Sequence, residues 1–305
     1  MNTTRRKFII NSGLAAAGAF VLPACTSGTS TSSAGELAQE AVSETKKKVG
    51  LQLYTLRNEI NVDLPGTIKQ VADTGYNYLE LFGYGNRSYF GMPAAEFYQL
   101  IKDNGLEARS SHHGSGVLNN EVQGSLSNGW EQAVEDAASA GQQFMALAYL
   151  QEGERDTLDK YKKLTELLNK AGQVCKDAGI QFCYHNHAFE FEELEGEIPM
   201  YHILDNTDPE LVKMELDIYW ITRAGFNTLE FFDKYPGRVP LWHVKDMDNT
   251  PEQKFAEVGT GVIDFNSIFA QAEKAGMKSF FVEQDVSQAP IESIKLSYKN
   301  IQSIG

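Results

Sequence analysis

Cysteine is scarce in this chain: three in 305 residues, too few for a disulfide framework, and the absence of cysteine among the clustered acids and histidines argues against a structural zinc site. Basic residues are in deficit, with 27 Lys and Arg against 41 Asp and Glu and a formal net charge of −14. So acidic a chain repels phosphate backbones, which argues against nucleic acid as a partner. A Gly-x-Gly-x-x-Gly turn is absent from the early part of the chain, and no glycine-rich phosphate cradle is found. What is present is a globular composition: 42% apolar, 11% aromatic and 22% charged residues. It excludes a disordered chain, a collagen-like repeat and a multi-span membrane protein.

The first 24 residues read as an address. Arg5-Arg6-Lys7-Phe8 precedes a short apolar run to Leu22, resembling a twin-arginine export signal. Leu22-Pro23-Ala24-Cys25 resembles a lipoprotein cleavage box, with a buried thiol as the alternative role for Cys25. A lipidated Cys25 would anchor the chain to a membrane without spanning it. The expectation is a periplasmic or cell-envelope protein. Removing Arg5, Arg6 and Lys7 with the leader takes the net charge to −17. The Ser-, Thr- and Gly-rich start of 25–46 reads as a flexible tether, and 47–305 as one folded domain.

That domain alternates short apolar strands with amphipathic helices. Strands are expected at 49–54, 77–82, 107–112, 143–149, 180–185, 211–217, 239–245 and 279–284. Helices are expected at 64–74, 93–104, 127–140, 156–178, 225–235, 264–275 and 288–301, with a short one near 199–205. Gly75, Gly105, Gly141, Gly179, Gly237 and Gly276 stand where the helices end. Eight strand and helix units in about 250 residues predict an α/β (β/α)8 barrel, a TIM barrel of one domain, with an open doubly wound sheet as the competitor.

In such a barrel the chemistry sits at the C-terminal ends of the strands. Gln52 and Tyr54 lie at the first, Glu80 at the second, His112 and His113 at the third, and His185 and His187 at the fifth. Glu215 and Asp217 share one face of the sixth strand, His243 and Lys245 one face of the seventh, and Glu283 ends the eighth. Carboxylates and imidazoles converging this way suit one hard divalent cation, Mn²⁺, Co²⁺, Mg²⁺ or Zn²⁺. A hydrogen-bonded polar plug is the alternative.

Five segments carry a family likeness in order: Tyr184–Phe191, Glu215–Trp220, His243–Asp246, Val258–Phe265 and Phe281–Asp285. Together they resemble the xylose isomerase-like TIM barrel family, in its group of sugar phosphate isomerases and epimerases from exported Bacteroidetes-type proteins. The resemblance implies one divalent metal held by Glu190, Asp217, His243 and Glu283, with Glu192 and His187 near Glu190 in the chain. It implies that Glu190 and Glu283 shuttle protons, as the paired carboxylates of ketose epimerases do. Those relatives carry a histidine three residues after the metal aspartate, where this chain has Trp220, which puts simple ketose epimerisation in doubt.

The implied chemistry is proton abstraction beside a carbonyl with a metal-stabilised enediolate, as in a sugar isomerase or epimerase. A lyase cleaving a 3-keto-glycoside by β-elimination is the alternative. Export and the missing phosphate cradle favour a non-phosphorylated sugar or glycoside. Lys245 and His113 join the carboxylates as candidate catalytic groups, with an ion pair and a buried hydrogen-bonded ring as their structural alternatives. Tyr54, Glu80, His112, His185, His187 and Trp220 are candidate substrate contacts, and Arg57 could hold an acidic group or a surface ion pair. A nuclease is disfavoured by the acidic charge, and a non-catalytic sugar-binding lipoprotein would need no four-ligand set. Relatives of this kind often form dimers or tetramers, so a homo-oligomer is open.

Overall fold

The computed structural model describes residues 46–119, 121 and 123–305. The export signal, Cys25 and almost all of the tether lie outside the described residues. Eight strands run in parallel and close in chain order: β1 Gly50–Gln52, β2 Tyr78–Leu81, β3 Glu107–Gly114, β4 Phe144–Tyr149, β5 Gln181–His185, β6 Val212–Asp217, β7 Leu241–Val244 and β8 Ser279–Val282. β8 pairs back onto β1, so no barrel edge is left open. Seven of the expected strands contain one of these, the third, expected at 107–112, runs on to Gly114, and the expected TIM barrel is the fold.

The helical layer follows from apolar stripes. In helix Leu158–Asp177, Leu158, Tyr161, Leu164, Leu168, Ala171 and Cys175 are buried at a helical period, and Thr157 caps its first turn. Gly172 lets that helix approach the sheet, since a Cβ there would lie 2.5 Å from the carbonyl oxygen of Leu211. On the outer face of β7, Trp242 stacks on Phe232 at 5.2 Å. Cys175 and Cys183 are free and buried. Among the described residues, no helix is long and apolar enough to cross a membrane.

Three local expectations change. The helix expected at 225–235 is Thr228–Lys234, preceded by a separate helix Ile218–Arg223 that begins as soon as β6 ends. The helix expected at 264–275 is broken into Phe265–Phe269 and Ala272–Ala275. Two small antiparallel additions sit among the loops that follow β2 and β7: three two-residue strands between Tyr84 and Pro93, and a hairpin pairing Asp246–Met247 with Phe255–Ala256.

Strand alternation fills the barrel in tiers. Tyr78, Phe144, Ala146, Cys183, Leu241 and Phe281 form a separate apolar cluster, a floor inside the barrel. Two residues further along several of the same strands the inward positions are Glu80, His185 and His243. The barrel is therefore sealed below and polar above.

Candidate active site

The lower polar tier is built around two histidines and two acids. Nε2 of His243 lies 2.5 Å from Glu80 Oε2, and Nε2 of His112 lies 2.6 Å from Glu215 Oε2 and 3.1 Å from Glu80 Oε2. Gln52 holds Glu80 from the side, its Nε2 donating to Oε2 at 2.9 Å, while its own Oε1 accepts from the Tyr54 N–H. Glu80 and Glu215 are fully buried.

The upper tier is buried too, and reaches a cavity through His185, Lys245, Glu283 and Asp285. Nδ1 of His243, the ring nitrogen not facing Glu80, lies 2.6 Å from Glu283 Oε2. His185 repeats the pattern, with Nδ1 3.2 Å from Glu215 Oε2 and Nε2 3.7 Å from Asp217 Oδ2. Each imidazole thus has one nitrogen toward a lower acid and one toward an upper acid. A carboxylate behind a ligating histidine fixes its tautomer and ring orientation, and Glu80 is placed for that task behind His243, while Glu215 lies 3.2 Å behind His185 without a hydrogen bond to it. The ammonium of Lys245 bridges Asp217 at 2.9 Å, Glu283 at 2.7 Å and Asp285 at 2.8 Å.

Electrostatics follow the tiers. Burial disfavours charge on His112, but Glu80 and Glu215 outweigh it and hold its pKa at about 10. The same contest ends the same way at His243, raised well above the ordinary value by Glu215, Glu80 and Glu283. At His185 burial wins, reinforced by the neighbouring His243 and His112, and the ring is held neutral. Burial opposes charge on Glu283 too, yet Lys245 and His243 keep it well below the usual carboxylate range. Burial pushes Asp217 up against the pull of Lys245, and pushes Asp285 up to about 6.

These residues fit a divalent cation. Oxygen and nitrogen atoms of Asp217, His243 and Glu283 lie within 4.8 Å of one another. Asp217 Oδ2 is buried with the Lys245 ammonium 2.9 Å away, and the neutral His185 faces it at 3.7 Å. Five carboxylates crowd the two tiers against the cationic groups Lys245, His112 and His243, so added positive charge is favoured. Oxygen and imidazole donors without thiolate suit Mg²⁺, Mn²⁺, Co²⁺ or Zn²⁺. The set that would hold it is His185, Asp217, His243 and Glu283. The lower set of His112, His185, Glu215 and His243 is also compact, but it offers a single acid, the fully buried Glu215.

Above the upper tier lies a cavity of about 580 Å³, bordered by Tyr54, His112, His185, His187, Lys245 and Glu283. Tyr54 forms its rim, edge-on to Phe82 at 5.3 Å, with the Arg57 guanidinium stacked 4.3 Å from its ring centre. His187 lies parallel to Phe189 and edge-on to Tyr149, and burial lowers its pKa to about 3.

Two expected catalytic residues stand elsewhere. Glu190 sits on the turn Phe189–Phe191, where its Oε1 accepts from the Tyr184 hydroxyl and its Oε2 from the His187 N–H, each at 2.8 Å. Tyr184 is the outward neighbour of His185 on β5, so the structure places Glu190, expected as metal ligand and proton shuttle, in the barrel's outer wall and outside the compact ligand groups. His113 also points outward: its ring nitrogens bond Ser111 Oγ at 2.9 Å and the Gly124 carbonyl at 2.8 Å, with Trp130 edge-on at 5.1 Å. Both of its ring nitrogens are engaged there, away from the compact ligand groups. Glu80 supports His243 from below and does not border the cavity. Trp220 touches His187 at 5.4 Å but borders an adjoining groove.

Glu215 and Asp285 were missed as site residues. The alternation that pairs Glu215 with Asp217 was visible in the sequence, as was the two-residue step from Glu283 to Asp285. His185, expected to touch substrate, takes the fifth-strand position in the candidate metal set.

Comparisons with known proteins agree with this architecture. A solved sugar phosphate isomerase/epimerase from Parabacteroides distasonis is 27% identical, with a TM-score of 0.74 over 86% of this chain and 96% of that one. A xylose isomerase-like TIM barrel protein from Mycobacterium smegmatis, solved with magnesium, shares the fold at 15% identity and a TM-score of 0.64, over 85% of this chain and 96% of that one. Inosose dehydratase of Bacillus cereus is 29% identical over 166 residues, 48% of this chain and 55% of the relative. The chain spans about half the length of the curated relatives it matches. The family model for the xylose isomerase-like TIM barrel matches residues 68–300, nearly the whole barrel, and the chain belongs to that family.

Proposed function

We propose that this protein is a divalent-metal-dependent carbon–oxygen lyase acting on a non-phosphorylated keto-sugar, with a 3-keto-glycoside as its substrate class. The observation that carries this reading is the pairing of one cavity-facing acid, Asp285, with one buried ammonium, Lys245, at 2.8 Å. Two-sided epimerisation needs two proton-shuttling carboxylates, and Glu190, the expected second one, is bound into the barrel wall. Elimination needs a base for the C–H and an acid for the departing oxygen, which Asp285 and Lys245 supply. The inosose dehydratase relatives, named for removal of water, support the same class.

A divalent cation held by His185, Asp217, His243 and Glu283 would supply positive charge opposite the developing enediolate. The carboxylate of Asp285, one-fifth exposed, takes the proton from the carbon beside the carbonyl. The electron pair forms the new C=C bond as the β C–O bond breaks, and Lys245 protonates the departing oxygen. Proton return from Asp285 to Lys245 closes the cycle with no outside proton donor. His112 offers a positive charge at the cavity edge for substrate oxygens. A phosphate is disfavoured, because the only Arg or Lys side chains bordering the cavity, among the described residues, are Arg57 and Lys245, and Lys245 already serves three carboxylates.

The test is metal-loaded protein incubated with a methyl 3-keto-glucoside. The expected products are methanol and an ultraviolet-absorbing enone, with Asp285→Asn at least a hundredfold slower at unchanged metal content. A product with the composition of the starting sugar would instead select isomerisation, the reading favoured by the 27% identical Parabacteroides structure.

A further inference from the structure

A second cavity of about 670 Å³ adjoins the first. The two share Val286 as a wall, and the chain leading to it divides its side chains between them: Glu283 and Asp285 border the first, Gln284 the second. The other side is helix Ile218–Arg223 and the hairpin that follows β7. There Tyr219 stacks on Phe255 with ring centres 4.3 Å apart, and Trp220 stands edge-on to Phe255 at 5.7 Å. Trp220 also packs on His187, which borders the first cavity, so this pair of rings stands between the two.

Polar groups in these walls are left unpaired. Gln284 is only 7% exposed, and its Oε1 has no hydrogen-bond partner, while its Nε2 donates to the Val286 carbonyl. The indole N–H of Trp220 is likewise buried and unpartnered. An unmet buried acceptor and donor cost free energy unless a ligand or water meets them. The charges at the rim balance, Arg223 and Lys254 against Glu252 and Glu257, so the site favours a neutral occupant. Aromatic faces, planar amide groups and balanced charge together match a sugar ring, with apolar C–H faces and hydroxyl edges.

We infer that this groove is the subsite for the leaving half of the substrate, a second sugar ring joined through the oxygen that departs from the first. The inference rests on the reading that the first cavity holds the keto-sugar, and it narrows the substrate to a disaccharide or longer glycoside.

The test is calorimetric titration of the metal-loaded protein with unoxidised methyl glucoside, cellobiose and maltose. At least one disaccharide is expected to bind tenfold or more tighter than methyl glucoside. Phe255→Ala and, separately, Gln284→Ala are expected to remove that gain while leaving methyl glucoside binding unchanged. Circular dichroism checks that each variant is folded, and the two variants sit on different elements. Equal affinity for one ring and two, no binding of any probe, or equal weakening of both probes in the variants overturns the inference. A disaccharide gain without turnover of keto-sugars overturns the lyase reading alone, and turnover of methyl 3-keto-glucoside without a disaccharide gain overturns the subsite alone.

Discussion

Glu190 shows how one side chain can match a motif and still miss the site. Its carboxylate accepts two hydrogen bonds, yet burial dominates and raises its pKa to about 7 from the ordinary 4.5. Between those values the native state holds a proton that the unfolded chain has released, so the stability it contributes at low pH is lost as pH rises from about 4.5 to 7. Glu190→Gln can keep both bonds, with Oε1 accepting from the His187 N–H and Nε2 donating to the Tyr184 hydroxyl. The variant is expected to gain up to roughly 3 kcal/mol over wild type between pH 4 and pH 8 in urea unfolding, and to keep its metal content and turnover. Loss of metal in this variant would return Glu190 to the ligand set. In the sequence, His185 and Glu190 are an imidazole and an acid at and just after the end of the same strand. Only the direction of Tyr184 decides between them, and that depends on which face of β5 is inward.

At the scale of elements, Asp217 does two jobs because β6 runs directly into helix Ile218–Arg223. Its Oδ1 accepts the Trp220 N–H at 3.0 Å as the helix N-cap, while Oδ2 faces the Lys245 ammonium at 2.9 Å and the proposed cation position. Asparagine preserves the cap but not the charge, and alanine preserves neither. Both variants are expected to lose bound metal. In chelator, Asp217→Ala is expected to be less stable than Asp217→Asn by about 1 kcal/mol, measured by urea unfolding. Equal stabilities would remove the cap from the account. This helix was illegible in the sequence because Ile218-Tyr219-Trp220-Ile221 is an apolar, β-prone run that continues the strand pattern without a break. The two-residue strands after β2 and β7 are too short to show any period. Helix Leu158–Asp177, with a stripe six residues long, was readable almost to its ends.

For the whole molecule, the alternation of eight strands with helices made the barrel readable, because each strand must be covered by the next helix and the ring must close. The tiers inside it were only half readable: alternation placed Asp217, His243 and Lys245 inward, but the ranking of lower and upper acids depends on the stagger between strands. That stagger sets His185 beside Glu215 and His243 beside Asp217, and so puts the cation at the top of a sealed, acidic interior. The consequence is a fold whose stability is linked to metal. A divalent ion at a hundred times its Kd should stabilise the native state by about 2.7 kcal/mol, which for a barrel of this size raises Tm by roughly 5–10 °C. Differential scanning calorimetry with and without chelator reads this shift. His185→Ala is expected to abolish most of it, since the variant removes a neutral nitrogen from the set while leaving all five carboxylates in place. If His185→Ala keeps the full shift, the ion is held by Asp217, His243 and Glu283 without it, and the lower tier's hold on His185 through Glu215 serves the substrate instead.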